Sequence, residues 1–268
     1  MGRGAQSPGC ETMKASYGEI GARRDGHVAL LEIDRPPNNH VTVELMRALA
    51  DALFDIDEEK DLRVSVLASA GKNFCAGGDF SEKTSGIGGG ANELYAEAVR
   101  LFSTRKPIVA AIQGAAVGAG LGLALVADFR VAAPEARLSA NFVKLGFHPG
   151  FGVSFTLPRL IGPQKAALMC LTGRRIKAEE ALAWGLVDNV VPMETLRETA
   201  LALAREVAEN APLAVEATRA TLRADLAGQV RAQTDKEFAV QSALRKTADF
   251  VEGIRAVAER RPGRFTGS

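Results

Sequence analysis

The sequence predicts an α/β fold with parallel strands, continued by a helical appendage. Three observations lead there. Short apolar runs alternate with amphipathic stretches through the N-terminal two thirds, the pattern of strands joined by crossover helices. Glycine-dotted turns follow two of those runs, at Gly71 to Asp79 and Gln113 to Gly122. From Pro163 to Arg260 the chain then reads as mostly helix, with one short strand at Val187–Val191.

The elements follow in order. His27–Ile33 is an apolar run bounded by Gly26 and Pro36-Pro37 and predicts a strand. Thr42 suits a helix cap, with Leu45, Leu49, Leu53 and Ile56 near one face of a helix running to about Glu59. Leu62–Ala68 predicts a second strand, and the Ser85–Gly90 stretch is low in complexity. A helix over about Asn92–Thr104, a buried strand at Pro107–Ile112, a small-residue helix over Ala119–Ala127 and a strand at Asp128–Ala133 come next. The tail predicts Ala-rich helices near Glu194–Asn210, Pro212–Asp225, Val230–Thr247 and Ala248–Arg260.

Composition narrows the function classes. The 268 residues carry 33 Lys plus Arg against 32 Asp plus Glu, so no basic surplus points to nucleic acid. Cys10, Cys75 and Cys170 are too few and scattered for a disulfide framework, and His27, His40 and His148 show no metal-ligand spacing. The longest apolar stretch, near Ala110–Ala127, is broken by Gln113 and several glycines, which argues against a membrane span. Met1 to Thr12 lacks the apolar middle of a signal peptide, and the cytoplasm is the expected compartment. Three regions are expected: a flexible leader over residues 1–16, an α/β core over 17–200 and a helical oligomerisation region over 201–268.

The chemistry concentrates in the two turns. Paired glycines in Phe74-Cys75-Ala76-Gly77-Gly78-Asp79 let backbone approach a ligand or take positive φ. Gln113 to Gly122 lies between a buried strand and a helix whose first N–H groups are unsatisfied and partly positive. The spacing is not that of a nucleotide P-loop. Two N–H groups converging from such turns on one carbonyl oxygen form an oxyanion hole.

At this point the sequence resembles the enoyl-CoA hydratase/isomerase family, the crotonase superfamily. The matching pieces are Phe74 to Asp79, Lys106 to Gly114, Gly118-Ala119-Gly120, Ala127 to Arg130, Leu171 to Arg174, Ala181 to Val187 and Glu252 to Ala256. The match spans about Gly18 to Phe265 in the family's order. The resemblance implies a spiral of ββα turns with a C-terminal helical trimerisation region, a homotrimer or hexamer, and an acyl-CoA thioester as substrate. It implies no metal and no cofactor beyond the CoA moiety. It also places the catalytic N–H groups at Gly78 and Ala119, and CoA-binding positions at Arg35, His40, Cys75, Ala76, Gly77, Asp79 and Gly118.

One departure stands out. The two glutamates of the family's hydratases fall at Gly122 and Phe142, and a further acidic position of some isomerases falls near Gly150. General acids and bases each contribute about 10²–10⁴-fold, so a thioester-polarising pocket is expected without the usual means of adding water. His148 is the candidate substitute base, with Asn141 holding a water or acyl oxygen, and Glu82 and Lys83 beginning a loop over the pocket. Glycine at 122 and phenylalanine at 142 predict a roomier, more apolar pocket for a bulky hydrophobic acyl group. The alternatives are an acyl-CoA hydrolase, a decarboxylase or a C–C bond hydrolase using His148, or a non-catalytic acyl-CoA binder.

Overall fold

The computed structural model of the chain describes residues 12–78 and 91–268. Its strands are Ser16–Tyr17 (β1), Ile20–Asp25 (β2), Val28–Ile33 (β3), Val64–Ser69 (β4), Ile108–Ile112 (β5), Ala115–Val117 (β6), Phe129–Ala132 (β7), Arg137–Ser139 (β8), Ile176–Lys177 (β9) and Asn189–Val190 (β10). Its helices are Val43–Glu58 (α1), Ala91–Phe102 (α2), Ala119–Val126 (α3), Val153–Ile161 (α4), Pro163–Thr172 (α5), Ala178–Ala183 (α6), Leu196–Ala208 (α7), Pro212–Leu222 (α8), Leu226–Leu244 (α9) and Ala248–Ala258 (α10). A 3₁₀ turn covers Asn141–Leu145.

The larger sheet has the order β1-β2-β3-β4-β5-β7-β10, antiparallel through the β1–β2–β3 meander and parallel from β3 to β10. Alternate residues of its strands divide the core. Val28, Leu30, Val64, Val66, Val109 and Ala111 pack with Leu196, Ala200 and Ala204 of α7. Ala29, Leu31, Ile33, Leu67, Ala110 and Ile112 belong to the opposite cluster with Leu45, Leu49 and Ile56 of α1. Both faces are covered, which is why these strands read as unbroken apolar runs. Thr42 caps α1, its hydroxyl accepting from Leu45 N at 3.1 Å.

The sequence did not announce β2, whose IGARRD segment is polar, nor the short strands β6, β8 and β9 of a second sheet. It also missed α4, which contains Pro158 and ends at Gly162 (φ 80°). The second sheet places the site. β5 leaves the large sheet at Gly114 (φ 56°), enters β6 and continues into α3. The bend is tight: a Cβ at Gly114 would stand 2.1 Å from Lys72 O. β7 and β8 lead in the same way to the 3₁₀ turn, so the ββα spiral is present.

The chain end returns to this core. α10 packs against the 3₁₀ turn, backbone on backbone. A Cβ at Gly146 would meet Asp249 O at 2.5 Å, and one at Gly253 would meet the Leu145 carbonyl carbon at 2.4 Å. Two glycines thus let α10 sit close enough to wall the cavity described next.

Candidate active site

A cavity of about 450 Å³ opens between the turn after β4, the start of α3, the 3₁₀ turn, α2 and α10. Its rim is backbone. Cys75 N donates to Ala115 O at 2.8 Å and Val117 N to Cys75 O at 3.1 Å, so the turn runs as a short parallel bridge beside β6. The two backbones are pressed together. A Cβ at Gly77 would lie 2.7 Å from Val117 O and 3.9 Å from Ala119 N, and one at Gly120 would lie 2.1 Å from Cys75 O.

The planes of two peptides follow from their carbonyl partners. Gly77 O accepts from Val41 N at 2.9 Å, and His40 Nδ1 lies 3.1 Å from it. A trans peptide sends its N–H opposite to its C=O, so Gly78 N–H points away from this clamp. Gly118 (φ 58°) precedes α3, and its carbonyl accepts from Gly122 N at 3.1 Å along the helix. Ala119 N–H therefore points out of the helix start, where first-turn donors have no helical partner. Gly77, Gly78, Gly118 and Ala119 all line the cavity.

A polar clamp outside the cavity holds this rim, and sequence reasoning missed it. Asn39, buried at φ 52°, donates to Ala70 O (2.9 Å) and Asn73 O (2.7 Å). Asn73 Oδ1 accepts from Ala115 N at 3.0 Å, and Gln113 Nε2 donates to Ser69 O at 2.7 Å. The available signal was a cluster of amides flanking two glycine turns.

The other predicted residues separate. His40, Ala76, Asn141 and Phe142 line the cavity; Arg35, Cys75, Gly122 and His148 are not among its walls. Arg35 Nε pairs with Glu19 at 3.1 Å. Cys75 is fully buried, which pushes its thiol up to about 12, and it contributes backbone only. Asp79, Glu82 and Lys83 lie outside the described residues.

Two expectations need correction. Gly122 opens no space, because Phe151 fills it: a Cβ there would meet Phe151 Cδ1 at 2.6 Å. His148 opens onto a different cavity of about 510 Å³, beside Ser154 and Cys170, with its Nδ1 2.8 Å from Pro149 O. Alignment along the chain could not show either, since both depend on how the loop after the 3₁₀ turn folds back.

The inner end of the cavity is built from side chains. Phe142 and Phe147 meet edge to face with centroids 5.7 Å apart. Tyr95 from α2 and Arg245, beyond the end of α9, also line it. The Tyr95 hydroxyl donates to Gln241 Oε1 at 2.7 Å, Arg245 Nη2 donates to the same oxygen at 3.2 Å, and Gln241 Nε2 donates to His148 O at 2.7 Å. Burial pushes the Tyr95 hydroxyl well above the usual phenol range. The Tyr95 hydroxyl fills the side-chain position of Gly150, where a Cβ would lie 2.0 Å away. Among the described residues no Asp or Glu lines the cavity, and no group of three or more His, Cys, Asp or Glu is placed to hold a metal.

The sequence profile of the enoyl-CoA hydratase/isomerase family matches residues 23–268. The chain belongs to the enoyl-CoA hydratase/isomerase family. A Thermus thermophilus relative that bears an enoyl-CoA hydratase name is 39% identical over 90% of this chain and 98% of its own. The carnitinyl-CoA dehydratase of Salmonella arizonae is 34% identical, over 91% and 97%. Among solved structures, a carnitinyl-CoA dehydratase from Mycobacterium avium superposes with a TM-score of 0.84 at 32% identity, covering 93% of this chain and 99% of that one. An enoyl-CoA hydratase/isomerase from Pseudoalteromonas atlantica gives 0.83 at 30%, covering 92% and 100%. The crotonase fold and its C-terminal helical region are thereby shown. No helix among the described residues is long and apolar enough to cross a membrane.

Proposed function

We propose that this chain binds an acyl-CoA thioester, receives its carbonyl oxygen between the N–H groups of Gly78 and Ala119, and performs lyase or isomerase chemistry through the thioester enolate. The observation that carries this reading is the approach of the two backbone turns at the cavity mouth, with a Gly77 Cβ position 3.9 Å from Ala119 N. Preformed donors there lower the energy of negative charge on the thioester oxygen as a proton or leaving group departs from the neighbouring carbons. The apolar wall of Leu94, Phe142, Phe147 and Ile254 suits the acyl chain, and His40 and Asn38 stand at the entrance for the CoA arm.

Water addition by paired glutamates has no support in this pocket. Phe142 and the Phe151-filled position at Gly122 supply no carboxylate to activate a water. Hydrolysis through His148 has less support still, because that ring borders the other cavity. Exposed Leu171, Leu213 and Leu222 favour a self-associated state, homotrimer or hexamer, which light scattering tests.

The discriminating experiment follows crotonyl-CoA by enoyl absorbance and free thiol together, beside calorimetric CoA binding. The expected result is CoA binding, hydration at least about 10²-fold slower than a two-glutamate hydratase, and no thiol release. Fast hydration would place an effective base outside positions 122 and 142. Thiol release would replace the reading with hydrolysis, and absence of CoA binding would remove it.

A further inference from the structure

We propose that His40 strengthens Gly78 N–H as an oxyanion donor, by donating from Nδ1 to the carbonyl of the peptide that carries this N–H. His40 is then a positioning residue, acting through the Gly77–Gly78 peptide rather than on the thioester. The inference rests on the acyl-CoA reading and names a further residue of that site.

The segment that carries His40 is pinned. Asn39 is buried at φ 52°; its side chain accepts from Arg35 N at 2.9 Å and donates to Ala70 O and Asn73 O. On either side of it, Ala76 N donates to Asn38 O at 3.0 Å and Val41 N donates to Gly77 O at 2.9 Å. Residues 38–41 thus run beside residues 76–78, with a parallel bridge between Val41 and Gly78. That register brings His40 Nδ1 to 3.1 Å from Gly77 O. A carbonyl has no hydrogen to give, so the bond requires the hydrogen on Nδ1, which fixes the tautomer of the neutral ring.

Gly77 O therefore accepts two bonds, one from backbone and one from the ring. Density drawn to a peptide oxygen comes in part from its nitrogen, through the resonance that keeps the unit planar. The N–H of the same peptide becomes more positive and a better donor, by about 10–30% per bond. At the second turn the carbonyl of the corresponding peptide, Gly118 O, takes the ordinary helical bond from Gly122 N at 3.1 Å. An oxyanion donor is worth about 10²–10³-fold, and a tenth to a third of that free energy is about two- to eightfold.

The test reads the enolate directly. Acetoacetyl-CoA enolises without a protein base. With protein in excess, the enolate-to-keto ratio of the bound ligand, followed by enolate absorbance at fixed pH, reports how well the donors hold a negative oxygen. His40→Ala and His40→Phe remove the donor, the second while keeping an aromatic ring. His40→Asn returns an N–H near the place of Nδ1 and carries no charge. The ratio is expected to fall about two- to eightfold in the Ala and Phe variants and to return close to the wild-type value in the Asn variant. A contact between His40 and the CoA arm alone would change Kd and leave the ratio of the fully bound ligand unmoved. A wild-type ratio in the Ala and Phe variants overturns the proposal. So does an Asn variant as low as the Ala variant, which would assign the effect to the ring and not to the bond. If His40→Ala does not fold, Asn against Phe decides the same question. If CoA and acetoacetyl-CoA fail to bind the wild type, or bind with no more enolate than in free solution, the acyl-CoA reading falls and takes this inference with it.

Discussion

The two ends of the cavity are built from different materials. At the mouth the groups proposed to act are backbone N–H groups, and side chains matter by being absent: Gly77 and Gly120 let two chain segments touch. At the inner end the lining is side chains brought from α2, the 3₁₀ turn and the α9–α10 region. A backbone device tolerates change in what is bound, because a carbonyl oxygen is common to every thioester. A side-chain device sets which acyl group fits. One end can therefore persist while the other is rebuilt, and here it holds Phe142, Phe147, Tyr95 and Arg245 instead of carboxylates.

The sharpest way to break the mouth is to add one side chain to it. Gly120→Val puts a Cβ 2.1 Å from Cys75 O, backbone that has nowhere to move. The expected outcome is a loss above about 4 kcal/mol, read as insoluble protein or a collapsed Tm. Removing a single donor is gentler on the fold. Ala119 is the first residue of α3, a position that accepts proline because its N–H is not used by the helix. Ala119→Pro should lower kcat/KM about 10²–10³-fold with Tm nearly unchanged. An unaltered rate in a folded variant would mean that this amide does not face the reacting oxygen.

The mouth was largely legible in the sequence and the inner end was not. Gly118-Ala119-Gly120 stands directly after a strand and Gly77-Gly78 lies in the turn that follows β4, so local turn chemistry was enough to locate them. The strands β3, β4 and β5 and the helices α1 and α7 declared themselves by periodicity, because burial on both sheet faces or on one helix face imposes it. Tyr95 and Arg245 lie about 150 residues apart, and nothing local marks either as a wall of the same space. Phe151 filling Gly122, and His148 turning to another cavity, likewise depend on a loop path that no short motif encodes.

The packing behind the cavity can be probed by volume. Gly122→Ala forces a methyl against Phe151 at 2.6–2.7 Å and should cost about 1–3 kcal/mol. Phe151→Leu should offset part of that cost, giving a favourable coupling in a double-mutant cycle measured by denaturant unfolding. Additive effects would show that the two positions relax independently. The same cycle explains why restoring a glutamate at Gly122 alone is not expected to restore hydration, whereas Phe142→Glu places its carboxylate in the cavity wall itself.

The smallest effect concerns the tail that folds back onto α10, the helix that forms part of that wall. Glu252 accepts from Arg261 Nη2 at 3.0 Å and from Arg264 N at 2.8 Å, tying the residues after α10 back onto the helix. Arg261 holds the Glu252 carboxyl down at about 2, below its ordinary value of 4.5. A carboxylate whose folded value is depressed contributes stability that is present above its ordinary value and lost as pH falls toward the folded one. The tie should therefore hold from neutral pH down to about 4.5 and weaken from there to about 2. Because the pair is only partly buried, salt screens it and the effect stays local. Hydrogen exchange at the Arg264 amide, corrected for its intrinsic rate, should lose protection across that interval, and Glu252→Gln should show the low protection at every pH. Protection that does not change across the interval would mean that the tail is held on α10 without the Glu252 charge, by contacts such as those of Thr266 and Gly267 with Asp249.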